Sequence, residues 1–161
     1  MSGTLIPRSE VRALGDRLRR EGRRVVFANG CFDILHVGHV RYLEEAKRCG
    51  DVLVVGVNSD RAVAALKGEG RPIIRENGRA EMVAAIESVD YVVVFDELTA
   101  ADILLDLLPH VHCKGTDYTT DSVPERDVVK GFGGEVRIVG DPKNHSTREL
   151  LAEISRRARG G

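Results

Sequence analysis

The sequence predicts an α/β fold: a single Rossmann-like domain whose doubly wound parallel sheet of about five strands carries helices on both faces. Short apolar runs alternate with longer segments of helical periodicity along most of the chain, which is the pattern of a parallel sheet with crossover helices. The run at 52–57 is almost continuously apolar, as expected of a strand covered on both faces. The length of 161 residues is typical of one domain.

The elements are expected to follow one another in regular order. Residues 1–22 form an N-terminal helical extension with its helix over 9–21, and residues 23–161 form the domain proper. Apolar runs predict strands at 23–28, 52–57, 91–95, 111–114 and 135–139. Helical periodicity predicts helices at 39–49, 60–66, 79–88, 100–108, 124–131 and 146–157.

Residues with special backbone preferences mark the ends of several of these helices. Gly50 follows the first helix of the domain, where a residue with positive φ is favoured. Pro109 ends the helix over 100–108 because proline lacks the N–H that helix continuation requires. Ser146, or the residue before it, is a suitable N-cap for the last helix.

Composition and charge exclude several classes of protein. Hydrophobic residues make up 42% and charged residues 30% of the chain, which is ordinary for a globular protein and excludes disorder. Lys plus Arg number 24 against 25 Asp plus Glu, so we expect no nucleic acid as a partner. No signal peptide is evident and no apolar run is long enough to cross a bilayer. We therefore expect a cytoplasmic protein without a membrane partner.

The three cysteines, Cys31, Cys49 and Cys113, are widely and irregularly spaced. An odd number without a CxxC pair fits neither a disulfide framework nor a zinc site. The sequence therefore predicts reduced thiols.

The segment after the first strand, 29–39, is the strongest candidate for chemistry, because ligands of such sheets bind at the carboxyl ends of the strands. His36 and His39 bracket Gly38 where a helix begins. Free backbone N–H groups and the helix dipole favour an anion there, the imidazoles add donors, and Gly38 allows a phosphate to come close. Neither a P-loop nor a GxGxxG fingerprint is present. The segment predicts a phosphate site of another design.

Two other interpretations of the histidine pair stay open at this point. His36 and His39 could be two surface histidines or half of a metal site. The remaining histidines, His110, His112 and His145, do not follow at the usual ligand spacings, so no metal site is assigned.

The segment 30–39 resembles the GxFDxxHxGH motif of the cytidylyltransferase-like nucleotidyltransferases. Within that superfamily the chain is most similar to the adenylyltransferase domain of the ADP-heptose synthases, and the resemblance covers roughly residues 23–154. The sugar-kinase domain that bifunctional members carry upstream is not present in this sequence. The matching segments are 29–33, 57–60, 66–68, 70–73, 79–81, 87–92, 114–118, 133–136 and 146–147.

The resemblance implies a role for residues that match the family's motifs. Catalytic contacts with the triphosphate are implied for His36, His39 and Lys67, with His39 acting in the transition state. Nucleotide-binding residues are implied to be Cys31, Phe32, Asp33, Gly38, Lys114, Ser146 and Thr147. Residues on the side of the acceptor substrate are implied to be Asp117 and Tyr118.

Each role has a simpler alternative. Asp33 is also suited to a turn, and Lys67 to a solvated, glycine-rich loop. Ser146 could serve only as an N-cap, and Tyr118 could serve only in packing.

The implied reaction moves AMP from ATP onto a sugar 1-phosphate, heptose 1-phosphate in this branch, with release of pyrophosphate. Mg²⁺ is expected to arrive with the triphosphate, and no protein metal site is expected. The alternatives are a cytidylyltransferase acting on glycerol 3-phosphate or a similar phosphoalcohol, and a non-enzymatic nucleotide-binding module. The residues do not distinguish ATP from CTP, and a homodimer is compatible with a domain of this size.

Departures from the family pattern concern the acceptor. The glycerol 3-phosphate cytidylyltransferases carry arginines where this chain has Glu87 and Asp141, which weakens that alternative. Thr116 replaces a usual glycine, and the loop at 141–145 differs from the heptose branch. These differences leave the acceptor sugar open but not the type of reaction.

Overall fold

A computed structural model describes residues 3–142 and 146–160 of the chain. Within these residues the fold is one α/β domain with a parallel sheet and helices on both faces, so the predicted fold class is confirmed. The strands are β1 (Thr4–Leu5), β2 (Val25–Gly30), β3 (Val52–Asn58), β4 (Tyr91–Phe95), β5 (Val111–Lys114) and β6 (Glu135–Ile138). The helices are α1 (Val11–Arg20), α2 (Val37–Lys47), α3 (Asp60–Lys67), α4 (Glu76–Ala84), α5 (Ala101–Leu107), α6 (Arg126–Gly131) and α7 (Thr147–Gly160).

The order of the strands decides where a ligand can bind. The order across the sheet is β1-β4-β3-β2-β5-β6. The chain builds outward from β2 through β3 to β4 and then returns to place β5 on the other side of β2. The switch in strand order therefore lies between β2 and β5, where a crevice opens at the carboxyl ends.

Helices cover the two faces of the sheet in separate groups. On one face, Leu43 of α2 and Val83 of α4 are fully buried against strand residues. On the other face, Leu18 of α1, Leu104 of α5 and Val129 of α6 are buried in a second cluster. All seven residues of β3 are buried, which agrees with the strand expected to be covered on both sides. None of the described helices is both long and apolar enough to cross a bilayer.

The sheet contains a sixth strand that the sequence did not predict. In β1, Thr4 pairs with Tyr91 and Leu5 with Val92, so the N-terminal segment extends one edge of the sheet. A two-residue strand is too short to show a periodic pattern of apolar residues in the sequence. Its position is set by pairing with the free edge of β4. The predicted helix over 79–88 also differs, because α4 starts at Glu76 and ends at Ala84.

A buried histidine makes the stability of this fold dependent on pH. His112 in β5 is fully buried, and its Nε2 lies 3.0 Å from the Oδ1 of Asn29. Its Nδ1 has no partner among the described residues. Burial, helped by the charge of Lys114, lowers the pKa of His112 from 6.5 to about 3. The folded protein therefore holds this ring neutral where the unfolded chain would protonate it.

We expect the free energy of unfolding to fall by about 2 kcal/mol between pH 7 and pH 5, because only the unfolded state gains a proton on the His112 ring in that range. The stabilisation that the neutral His112 ring contributes is fully present above its pKa in the unfolded state. It continues to be lost as the pH falls to its pKa in the folded state, about 3. Urea unfolding at both pH values would measure it. His112→Gln should show a flatter profile, and an equal loss in both proteins would contradict the assignment.

Candidate active site

A cleft of about 840 Å³ lies at the carboxyl ends of β2 and β5. One side, called here the histidine wall, consists of His36, His39 and the first turns of α2 and α7. The opposite side, called the distal wall, is formed by the loops that follow β4 and β5. The distal wall consists of Leu98, Thr99, Ala100, Lys114, Tyr118, Pro124 and Glu125. Lys67 and Arg71 line the same cleft.

The two histidines are fixed by the start of α2. His36 is the N-cap, and its Nδ1 accepts the N–H of Gly38 at 3.1 Å. The Nδ1 of His39 accepts the N–H of His36 at 3.2 Å, so the pair forms a reciprocal capping box. The two rings stack with their centroids 3.9 Å apart. The predicted spacing of histidines at a helix start thus produces one rigid unit.

The capping box also assigns the tautomer of both rings. An Nδ1 that accepts a backbone N–H carries no proton, so the proton of each neutral ring is on Nε2. Each Nε2 is then a hydrogen-bond donor. Two directional donors at the positive end of a helix form a site suited to phosphate oxygens.

Phe32 and Cys31 support this unit from the end of β2. Phe32 is buried, adopts a φ of 50°, and places its ring centroid 5.5 Å from that of His39. Cys31 is half-buried, and its Sγ lies 3.7 Å from the Oδ1 of Asn58. Burial raises the pKa of the Cys31 thiol. Both residues line the cleft, and the ring of Phe32 packs against the imidazole of His39.

The carboxylate of Asp33 is fully buried, and groups of the protein itself occupy it. It accepts hydrogen bonds from the Nε of Arg71 at 2.8 Å and from the N–H groups of Ile73 and Ile74 at 2.9 and 3.0 Å. Burial raises its pKa, but these three donors outweigh burial and hold the pKa below the ordinary value. Asp33 therefore positions the loop that carries Arg71.

The start of α7 is tied to the same loop. The hydroxyl of Thr147 donates to the carbonyls of Asp33 at 2.9 Å and Ile34 at 3.3 Å. Ser146 accepts the N–H of Glu149 at 3.1 Å through its Oγ, which is the bond of an N-cap. The Ser-Thr pair thus brings a second helix N-terminus to the histidine wall.

Four predicted residues lie elsewhere around the cleft. Lys67 is exposed at the end of α3, and Gly68 follows it with a φ of 91°. Lys114 ends β5, with its Nζ 4.6 Å from the ring centroid of Tyr118, and burial lowers its pKa. Asp117 is exposed. Lys114, Asp117 and Tyr118 lie together after β5, and all four residues line the same cleft.

Comparison with known proteins identifies the family. The family model described as Cytidylyltransferase-like matches residues 27–154. The chain belongs to the cytidylyltransferase-like family. Among curated relatives it is 49% identical over 136 residues to the "Bifunctional protein HldE" of Geobacter sulfurreducens, and 48% identical over 137 residues to that of Methylobacillus flagellatus. These matches cover 84% and 85% of this chain but 28% of each relative.

Solved structures agree with this membership of the cytidylyltransferase-like family. A lipopolysaccharide core biosynthesis protein from Thermoplasma volcanium is 34% identical, with a TM-score of 0.62 over 73% of this chain and 95% of that one. Pantothenate synthetase from Thermus thermophilus has a TM-score of 0.60 over 98% of this chain and 77% of that one. Because the two sequences are only 19% identical, this similarity concerns the fold alone.

Arg79 is a buried residue of this cytidylyltransferase-like domain that contacts the cleft residues Cys31 and Asn58, and the sequence did not reveal its role. Its side chain is fully buried. It donates to the carbonyls of Cys31, Asn58 and Ile74 at 2.6–2.8 Å and to the carboxylate of Asp60 at 2.9 Å. Arg79 therefore joins the ends of β2 and β3 to the loop before α4. The signal in the sequence that could have indicated its role was the segment 79–81, which matched the family.

Two positions that depart from the pattern of the cytidylyltransferase-like family contact each other. The hydroxyl of Thr116 donates to the carbonyl of Asp141 at 2.8 Å. The carboxylate of Asp141 pairs with Arg41 of α2 at 2.5 Å. Asp141 thus adds no unbalanced negative charge to the cleft. The loop predicted to differ at 141–145 is described only for its first two residues, since 143–145 lie outside the described residues.

Proposed function

We propose that the chain transfers AMP from ATP to a sugar 1-phosphate, heptose 1-phosphate in the branch that it resembles, and releases pyrophosphate. The observation that carries the proposal is the histidine wall, where two neutral imidazoles are locked as Nε2 donors beside two helix N-termini. Membership of the family and the HldE relatives support the nucleotidyl chemistry. The protein of lipopolysaccharide core biosynthesis, 34% identical, favours an acceptor that belongs to saccharide synthesis.

The chemistry of such a transfer needs positioning and charge stabilisation more than acid–base catalysis. The attacking phosphate of the acceptor is already an anion at neutral pH, so no general base is required. An oxygen of that phosphate attacks the α-phosphorus in line with the departing pyrophosphate. Donors at the histidine wall stabilise the negative charge that develops on the phosphate oxygens, and Lys67 can add a positive charge from the end of α3.

We propose that Mg²⁺ enters as part of the ATP substrate, where it neutralises phosphate charge. Among the described residues, no group of three or more His, Cys, Asp or Glu side chains could hold a metal ion. The carboxylate of Asp33, next to the histidine wall, is already occupied by three donors. The residues present therefore fit a metal carried by the nucleotide better than a resident ion.

A coupled pyrophosphate assay tests the function. ATP, CTP, GTP and UTP would each be combined with several sugar 1-phosphates and with glycerol 3-phosphate, and each nucleotide would also be tested alone as a control. We expect pyrophosphate with ATP and heptose 1-phosphate. Activity only with CTP and glycerol 3-phosphate would replace the proposal by the cytidylyltransferase alternative. Nucleotide binding by calorimetry without turnover for any pair would favour a binding module.

Lys67→Ala is expected to lower kcat/KM at least tenfold, because Lys67 is the last residue of α3 and Gly68 follows it, so that its side chain can swing onto the triphosphate as a point charge. Thermal stability should change little, since the side chain is exposed and forms no ion pair within the described residues. Lys130→Ala, an exposed lysine of α6, is the matched control. ATP with Mg²⁺ should also protect the chain from trypsin at Lys67. Equal cleavage with and without nucleotide, together with an unimpaired Lys67→Ala variant, would show that Lys67 does not contact the nucleotide.

A further inference from the structure

Two of the three cysteines lie in direct contact, although the phosphate chemistry above uses neither of them. Cys49 follows the C-terminal end of α2, and Cys113 lies in β5. Their sulfur atoms are 3.9 Å apart across 64 positions of the chain. Neither residue is among those that line the cleft. The thiol pair is therefore produced by the fold and lies outside the candidate active site.

The two thiols differ in their access to solvent. Cys113 is fully buried, whereas Cys49 is partly exposed. Burial, and after it the neighbouring Cys49, raises the pKa of the Cys113 thiol. A dissolved oxidant therefore reaches Cys49 first, and Cys113 can react only with the group that forms on Cys49. An accessible thiol next to a second, resolving thiol is the usual arrangement of a redox-sensitive site.

Arg137 of β6 places a positive charge beside the accessible thiol. Arg137 is the residue of β6 that pairs with Cys113 across the sheet. A hydrogen bond with Cys49, and after it the charge of Glu135, raises the pKa of Arg137. Cysteines that oxidants attack are typically partly exposed and lie beside a cation, whereas buried structural cysteines are inert. Cys49 meets both conditions for attack.

We propose that Cys49 and Cys113 form a redox-sensitive site, at which a peroxide converts the two thiols into an intramolecular disulfide between α2 and β5. First, the Cys49 sulfur attacks an oxygen of hydrogen peroxide, the O–O bond breaks, and a sulfenic acid and water are formed. The Cys113 sulfur then attacks the Cys49 sulfur, the S–O bond breaks, and the Cys113 proton leaves with the hydroxide as water. Two thiols and one peroxide thus give one disulfide and two water molecules.

The fold needs only a short movement to close the bond. A disulfide is about 2.05 Å long, so the sulfur atoms must approach each other by roughly 2 Å from their present 3.9 Å. Cys113 is fixed, because β5 pairs with β2 on one side and β6 on the other. Cys49 lies in the turn after α2 and can supply the shift. The two sulfur atoms can therefore bond within the native fold.

Thiol counting after treatment of the full chain with hydrogen peroxide tests the site. We expect two of the three thiols to be lost, peptide mapping to find Cys49 linked to Cys113, and dithiothreitol to restore both. Cys31 is the internal control, because its Sγ contacts the Oδ1 of Asn58 at 3.7 Å and not a sulfur. The oxidised protein should also have a higher Tm, because a link across 64 positions restricts the unfolded chain.

Substitutions separate the roles of the two thiols and of the cation. In Cys113→Ala, Cys49 lacks its resolving partner, so a sulfenic acid that dimedone traps should accumulate on Cys49. In Cys49→Ala, Cys113 should keep its thiol because it is buried. Arg137→Gln should slow the loss of thiols several-fold. Arg20→Gln, which changes an exposed arginine of α1, is the matched control and should react at the wild-type rate.

Several outcomes would overturn the redox-sensitive site. One is a wild-type chain that keeps all three thiols, and another is oxidation of Cys31 before the pair or a disulfide between two chains. A lower Tm after oxidation would mean that the sulfur atoms meet only when the fold opens, which also contradicts the proposal. None of these measurements uses a nucleotide or a sugar phosphate, so their results are independent of the proposed function.

Discussion

His39→Ala is expected to lower kcat by about 10²–10³, the usual effect of removing one preorganised donor to developing charge. The Nε2 of His39 is such a donor because its Nδ1 is occupied by the N–H of His36. Affinity for ATP should fall less, since His36 and the two helix N-termini would remain in place to contact the bound triphosphate. Steady-state kinetics together with calorimetric Kd values for ATP would measure the difference.

Two further variants separate catalysis from local structure. His39→Asn keeps a side-chain oxygen that can accept the N–H of His36, so it should preserve the start of α2 and still lose the turnover. His110→Ala is the matched control, because the Nδ1 of His110 also accepts a backbone N–H, from Val25 at 3.0 Å, but the residue lies outside the cleft. Normal turnover in both His39 variants would mean that this ring is structural.

The strands of the domain proper were predictable because each is an apolar run long enough to show its pattern. Strand β1 was not, since its two residues are ordered by pairing with Tyr91 and Val92 far along the chain. The start of α4 was missed for a similar reason. Asp60 and Glu76 each accept the backbone N–H of the other at 2.7–2.8 Å, and this long-range exchange fixes the helix start before Gly78.

The histidine pair was predictable in position, because both residues lie in one local segment at a helix start. The hydrogen bonds of the Asp33 carboxylate were not predictable, since the N–H groups that occupy it come from a loop 40 and 41 positions later. A contact between Asp33 and the nucleotide stays a prediction. Cys49 and Cys113 illustrate the same limit, because their sulfur atoms lie 3.9 Å apart across 64 positions.

Arg79 shows how far the site depends on one buried group. A fully buried arginine is rare unless all its donors are paired, and its guanidinium here joins three carbonyls and a carboxylate. Cys31 directly follows β2 and Asn58 ends β3, and both residues line the cleft. Without the guanidinium, these acceptors would remain in the protein with no donor.

Arg79→Met is therefore expected to lower the free energy of unfolding by about 3–5 kcal/mol, because methionine fills similar space and leaves several buried acceptors unpaired. This is a large part of the stability of an ordinary domain. Arg61→Met, which removes an exposed ion pair with Asp96, should change the free energy of unfolding far less, because solvent screens exposed ion pairs. Urea unfolding with unchanged m-values would measure both. If the free energy of unfolding fell equally in the two variants, the carbonyls of Cys31 and Asn58 would have found other donors. Arg79 would then not be what stabilises these two residues of the cleft.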